Sequence, residues 1–116
     1  LAAEAANEVG GNANVDLALD LLERVRARAR GGNATLLPVV TTRDQAALRN
    51  AIRHERQVEL GMENERFYDL IRWDIDVETM RDAGHVNYQL KHRFFPIPQP
   101  EIDKSAGVLV QNPDYR

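Results

Sequence analysis

The stretch that decides the fold is His54-Glu55-Arg56-Gln57-Val58-Glu59-Leu60, continued by Glu65-Arg66-Phe67-Tyr68-Asp69-Leu70-Ile71-Arg72-Trp73. Its apolar and charged residues recur with the period of an α-helix, so Glu55 and Glu59 fall on the same face as Leu48 and Ile52. An isolated carboxylate in an apolar stripe is costly unless a cation or several donors compensate it. We therefore expect both carboxylates to be paired, with arginines of the same stretch supplying the guanidinium groups.

The helix that carries this face is expected over residues 42–73. Thr42-Arg43-Asp44-Gln45 has the form of a capping box, which predicts the start of the helix. Gly61 weakens the helix, so the prediction is one long or kinked helix.

The preceding residues, 1–32, predict a helix hairpin. An Ala-rich first helix ends at Gly10-Gly11, and a second helix with an apolar stripe stops at Gly31-Gly32. The pair resembles one tetratricopeptide unit, which needs stacked neighbours to bury its apolar face. The Arg26-Ala27-Arg28-Ala29-Arg30 run is interpreted as a solvated helix end rather than a nucleic-acid contact.

The last third of the chain, residues 84–116, predicts an irregular tail because prolines recur at 96, 98, 100 and 113. The expected fold is mostly α, with tetratricopeptide-like helix pairs and an irregular Pro-rich carboxyl-terminal segment. Because the first helix starts without a cap, residues 1–116 are interpreted as the carboxyl-terminal part of a longer protein.

The composition narrows the function classes. The 116 residues are 43% hydrophobic and 28% charged, with a net charge of −3 and no Cys. These values are typical of a globular domain and argue against a disordered chain. They exclude disulfides and thiolate sites, and they provide no overall basic field for nucleic acid.

Three interpretations compete for the carboxylates of Glu55 and Glu59. They lie one helical turn apart, which suits a general acid–base pair in a hydrolase, but no nucleophile or metal-ligand set accompanies them. A solvated salt-bridge face fits poorly with the apolar residues beside them. A structural ion-pair network between helices is favoured. Similarly, Phe67, Tyr68 and Trp73 suit a sugar-stacking platform, but their helical spacing is more typical of a core.

Four segments in register resemble the SusD/RagB family. Residues 55–60 and 65–73 resemble its E-R-x-x-E-L…R-F-[FY]-D-L-x-R-W signature, Phe95-Pro96-Ile97-Pro98-Gln99-Pro100-Glu101-Ile102 resembles F-P-I-P-x-x-E-I, and Gln111-Asn112-Pro113-Asp114-Tyr115 resembles Q-N-P-x-Y. The opening helices also fit the family. Its members more often carry an aromatic residue and a Gly around Met62 and Asn64.

The resemblance implies a glycan- or nutrient-binding lipoprotein, exposed on the cell outer membrane, that delivers its ligand to a SusC-like TonB-dependent transporter. It implies a protein that is not an enzyme and that uses no cofactor or metal. Membrane attachment would come only from a lipid anchor upstream of this chain. Ligand-contacting residues are implied to lie mostly upstream, so none is assigned here.

Within this chain, the family-motif residues are expected to have structural roles. They are Glu55, Arg56, Glu59, Arg66, Asp69, Arg72, Trp73, Pro96, Pro98, Glu101, Asn112, Pro113 and Tyr115. Since Arg66 falls near Glu59 by helical spacing and Arg28 lies outside the apolar stripe, we expect Arg66→Ala to destabilise the protein more than Arg28→Ala. The alternative function is a tetratricopeptide-like adaptor that binds a partner protein.

Overall fold

The computed structural model describes residues 1–33 and 35–115; Ala34 and Arg116, the last residue of the expected tail, lie outside the described residues. The described residues hold α-helices and short 3-10 turns and no strand, which confirms the mostly α fold. The helices are α1 (Ala2–Val9), α2 (Asn12–Arg30), α3 (Gln45–Glu59), α4 (Arg66–Arg72), α5 (Asp76–Asp82) and α6 (Gln99–Lys104), and the 3-10 turns are Leu90–Arg93 and Pro113–Tyr115.

The chain divides into two units, Leu1–Asn64 and Glu65–Arg116. The first unit contains α1 to α3, and the second contains α4 to α6 with both 3-10 turns. Within the described residues, no helix is both long enough and apolar enough to cross a membrane.

Two glycines make the hairpin between α1 and α2. Gly10 and Gly11 have φ angles of 74° and 81°, which residues with a Cβ rarely adopt. The following helix ends at Gly31, which takes the left-handed conformation with φ 56°. The short glycine turn therefore lets two helices fold back on each other within one hairpin.

The amino-terminal cap of α3 is Asp44, so the expected capping box starting at Thr42 is wrong. The Asp44 side chain accepts a hydrogen bond from the Ala47 N–H at 2.8 Å, and the helix begins at Gln45. A carboxylate at this position also interacts favourably with the helix dipole.

The helix expected over residues 42–73 is broken into two helices. It ends at Glu59, and α4 begins at Arg66. Met62 and Asn64 take φ angles of 71° and 62°, which no α-helix accommodates, and the Met62 side chain is fully exposed rather than on the apolar face. Gly61 is not the left-handed residue. Asn adopts a positive φ more readily than most residues, and Gly adopts it more readily still because it has no Cβ. A backbone that needs this conformation therefore explains why the family often has Gly near this position.

The core of the first unit lies where α1, α2 and α3 meet. Its buried residues are Ala6, Val15, Ala18, Leu22, Leu48 and Ile52. Alanines at the contact let the helix axes approach closely. A pair of amides then ties two helix ends together: Asn7 Nδ2 donates to the Gln45 carbonyl O at 3.0 Å, and Gln45 Nε2 donates to the Asn7 carbonyl O at 2.7 Å.

The second unit has a smaller buried set. Leu70 of α4 is buried, and Tyr88 is buried against Phe67, whose ring meets it edge to face with centroids 6.4 Å apart. The Pro-rich segment combines Phe94, which is extended, with the short helix α6, which begins at Gln99 after Pro98 and has Pro100 in its first turn.

Candidate functional site

The buried carboxylate of the third helix is paired with a cation from the second helix. Glu55 is 7% exposed, and its Oε2 lies 2.5 Å from Arg26 Nη1. The same guanidinium donates from Nη2 to the Pro38 carbonyl O at 2.9 Å. One arginine therefore joins α2, α3 and the loop that connects them.

This pairing corrects two sequence expectations. The cation that compensates Glu55 comes from the basic run at the end of α2, not from an arginine of residues 54–73. That run is only partly a solvated helix end: Arg28 is exposed, but the Arg26 and Arg30 side chains are each only 12% exposed. Arg30 forms a fork with Glu23 and donates to the Leu37 carbonyl O at 2.9 Å, so it also holds the loop.

Glu59 lies in a different environment from Glu55, although the two are one turn apart. It is exposed and forms an ion pair with Arg28 of α2, whose side chain is 70% exposed. An exposed pair of this kind contributes little to stability. The face is therefore split into one buried carboxylate and one solvated carboxylate, rather than two equivalent buried ones.

A groove opens beside this pair within the first unit. It has a volume of about 150 Å³, and its lining is mostly aliphatic, from Leu21, Leu22 and Val25 on α2 and Ile52 and Leu60 on the other wall. Glu55, Arg56 and Glu59 also line it. A carboxylate already neutralised by a guanidinium at 2.5 Å is poorly suited to act as a general base, so this groove does not resemble a hydrolase centre.

In the second unit, the motif residues Asp69, Arg72 and Trp73 form one chain of contacts. The buried Asp69 carboxylate accepts a hydrogen bond from Arg72 Nε at 2.8 Å. The Arg72 guanidinium in turn lies 4.7 Å from the centroid of the Trp73 ring. These three side chains occupy one turn of α4 and the residue after it.

The aromatic residues of this stretch do not form one platform. Phe67 is half-buried and packs against Tyr88, as a core residue would, whereas Tyr68 is mostly exposed. Their rings meet edge to face with centroids 6.0 Å apart, a geometry that does not offer a flat surface for a sugar ring.

An ion-pair network around Asp76 was missed in the sequence analysis. The Asp76 carboxylate is fully buried inside α5 and accepts hydrogen bonds from Tyr88 Oη at 3.0 Å and from Arg93 Nε at 2.9 Å. Arg93 also pairs with the exposed Asp74 at 2.5 Å. No sequence pattern indicates this cluster, because the residues that contact each other are 12 to 19 positions apart.

The network shifts the pKa values of Asp76 and Tyr88 in opposite directions. The hydrogen bond from Arg93 lowers the pKa of Asp76, against the opposing effect of burial. Burial, followed by the hydrogen bond to Asp76, raises the pKa of Tyr88 to about 12. The carboxylate is therefore held in its charged form, and the phenol is held in its neutral form.

The closing motif binds the Pro-rich motif through side-chain amides. Gln111 Oε1 accepts from the Ile97 N–H at 2.9 Å, and Gln111 Nε2 donates to the Ile97 carbonyl O at 2.8 Å. Asn112 Nδ2 donates to the Phe95 carbonyl O at 2.8 Å. The amides thus satisfy backbone groups that an extended strip would otherwise leave without a strand partner.

The remaining motif residues frame this strip. Pro96 and Pro98 are exposed and flank the half-buried Ile97. Tyr115 donates its hydroxyl to the Lys91 carbonyl O at 3.1 Å, within the turn that Pro113 begins. Glu101 forms only an exposed pair with Lys104 at 3.0 Å on α6.

The surface grooves of the second unit that could hold a ligand are open to solvent. One groove of about 350 Å³ is lined by Lys91, Phe94, Asn112, Pro113, Asp114 and Tyr115, and another of about 540 Å³ lies beside Asp76 and Arg93. Within residues 1–33 and 35–115, no group of three His, Asp or Glu side chains could hold a metal ion.

These contacts define a class of protein: a helical scaffold in which charged and amide side chains hold helices and loops in place. The SusD family model matches residues 1–115, so the chain belongs to the SusD family, and the resemblance seen in the motifs is confirmed. No solved structure matches.

Two relatives from Formosa agariphila agree with this assignment. The chain is 31% identical over 121 residues to SusD-like protein P2, an alignment that covers 99% of this chain and 24% of that protein. It is 35% identical over 115 residues to SusD-like protein P25, covering 94% of this chain and 21% of that protein. The chain therefore spans about a quarter or less of the length of these relatives.

Proposed function

We propose that these residues are the carboxyl-terminal part of a nutrient-binding lipoprotein, exposed on the outer membrane, that passes a glycan or another nutrient to a SusC-like TonB-dependent transporter. The observation that carries the proposal is the match of the SusD family model to residues 1–115. The order of the four motifs along the chain supports it. The protein would act by binding and not as an enzyme, and a lipid anchor outside this chain would attach it to the membrane.

Within this protein, the residues of the chain are proposed to support the binding scaffold rather than to contact ligand. The motif side chains with hydrogen bonds to other elements bind protein groups: Asn112 to the Phe95 carbonyl, Tyr115 to the Lys91 carbonyl, and Glu55 to Arg26. Each of these contacts fixes a loop or a helix. The same role is proposed for the other family-motif residues: Arg56, Glu59, Arg66, Asp69, Arg72, Trp73, Pro96, Pro98, Glu101 and Pro113.

The experiment uses the complete gene product that contains these 116 residues. Isothermal titration against a panel of soluble polysaccharides is expected to detect binding without release of reducing sugar. Affinity purification from the native membrane is expected to recover a TonB-dependent transporter. Recovery of a cytoplasmic partner instead, with no ligand bound from the panel, would contradict the proposal and favour the adaptor.

A double variant distinguishes a structural role of the two glutamates from a catalytic role. Glu55→Gln together with Glu59→Gln tests the hydrolase alternative, because neither amide can act as a general base. We expect the double variant to lose stability and to retain its ligand affinity wherever it remains folded. A glycan-cleaving activity in the unaltered protein that disappears in the folded double variant would refute a purely structural role.

A further inference from the structure

The 3-10 turn Leu90–Arg93 is closed by a histidine ring that accepts a backbone hydrogen bond. His92 Nδ1 accepts a hydrogen bond from the backbone N–H of Gln89 at 2.9 Å. The backbone N–H of His92 in turn donates to the Gln89 carbonyl O, also at 2.9 Å. An imidazole that accepts at Nδ1 is neutral and carries its proton on Nε2, because a protonated ring has only donors. The hydrogen bond from the Gln89 N–H and a protonated Nδ1 therefore exclude each other.

Two contacts between separate segments start from this same turn. Arg93 donates from Nε to Asp76 Oδ2 at 2.9 Å, which joins the turn to α5. The Lys91 carbonyl O accepts the Tyr115 hydroxyl at 3.1 Å, which joins the turn to the closing motif. Both contacts are made by residues of the turn that the Gln89 amide begins.

The ring contact of the imidazole is with a tyrosine. Its ring centroid lies 5.4 Å from that of Tyr88, whose hydroxyl is already committed to Asp76. Asp76 is itself paired with Arg93. The charged and titratable groups of the neighbouring elements are Lys91 and Arg93 in the turn, Asp76 and Arg81 on α5, Tyr88 before the turn, and Asp114 and Tyr115 in the closing motif.

We propose that His92 makes this turn a proton-sensitive latch, closed when the imidazole is neutral and open when it is protonated. Protonation converts the acceptor Nδ1 into a donor, so two N–H groups then face each other across the former hydrogen bond. The Gln89 amide is released, and the contact between Lys91 and Tyr115 loosens with it. Acidification thus weakens the attachment of the closing motif to the turn.

The test is hydrogen exchange of the Gln89 amide, followed by NMR in the complete gene product that contains these residues and normalised to the intrinsic exchange rate at each pH. Between about pH 7.5 and about pH 5, the range in which histidine changes its charge, protection of this amide is expected to fall about fivefold, which corresponds to one lost hydrogen bond. His92→Asn places Oδ1, an acceptor that does not titrate, at the position of Nδ1. In this variant the protection is expected to be independent of pH.

The matched control is His85→Asn, since His85 precedes the turn and is exposed. This variant is expected to keep the pH response of the unaltered chain. Nitrogen-15 spectra of the histidine side chains give a second readout that needs no variant, and they should show the Nε2–H tautomer for His92 at neutral pH. An Nδ1–H tautomer, pH-independent protection in the unaltered chain, or a pH response retained by His92→Asn would each overturn the proposal.

Discussion

Arg26→Ala removes the cation that the structure places against the buried Glu55 carboxylate. The two side chains are 12% and 10% exposed, so the remaining carboxylate stays in a poorly solvated site. Leaving a buried charge without its partner costs about 3 kcal/mol, the lower end of the measured range, because some exposure remains. The lost hydrogen bond to the Pro38 carbonyl adds about 1 kcal/mol. A total of about 4 kcal/mol is a large part of the stability of a small domain.

The assay is urea unfolding followed by circular dichroism, together with hydrogen exchange of the α2 and α3 amides. Tryptophan fluorescence is a poor probe of this change, because Trp73 belongs to the second unit. The control is Arg28→Ala, whose side chain is 70% exposed and whose loss should cost at most about 1 kcal/mol. Replacing both buried partners, as Arg26→Met with Glu55→Leu, should recover much of the loss, since an apolar pair needs no compensation.

Equal unfolding midpoints for Arg26→Ala and Arg28→Ala would refute this reasoning. That result would mean that water reaches the Glu55 carboxylate once the guanidinium is gone. A failure of the double replacement to recover stability would have a different meaning. It would indicate that shape at the α2–α3 contact matters more than the charge of Glu55.

Three further predictions follow from the other clusters. The lowered pKa of Asp76 stabilises the folded state at neutral pH, and this contribution is lost as the pH falls through the folded-state pKa; the acid sensitivity of the urea midpoint should therefore be smaller in Asp76→Asn than in the unaltered chain. Gln111→Ala leaves both backbone groups of Ile97 without their partner and should cost about 1–3 kcal/mol, with faster exchange of the Ile97 amide as its local signature. Glu59 pairs with Arg28 and not with Arg66 as expected, but Arg66→Ala is still expected to cost more than Arg28→Ala, because Arg66 is half-buried and Arg28 is exposed. Equal midpoints in parallel urea titrations of the complete protein would exclude this order.

Local chemistry made several features readable from the sequence. Glycine pairs at 10–11 and 31–32 predict turns because only glycine adopts their φ angles readily, and the structure has helix ends there. The mostly α fold followed from the helical period of the apolar residues, and the family followed from motifs that need no coordinates. These signals are carried by neighbours within one or two helical turns.

The burial of each charge was decided only by the tertiary structure. Glu55 and Glu59 have the same residue type and the same helical face, yet one is buried against Arg26 and the other is exposed beside Arg28. Sequence spacing favoured cations on the same helix, because it reports distances along one helix and not across two. It predicted one long or kinked helix weakened at Gly61, whereas the helix is broken and the left-handed residues are Met62 and Asn64.

The contacts between distant segments were also beyond the reach of the sequence. Asp76 meets Arg93 across 17 residues, and Gln111 meets Ile97 across 14. Nothing in the local pattern distinguishes a buried aspartate from a helix cap, or a clamping amide from a solvated one. The mostly α fold, the glycine turns and the family could be predicted from the sequence, because these depend on near neighbours. The tertiary structure decided which polar side chains are buried and what they bind, because that depends on how the chain brings remote segments together.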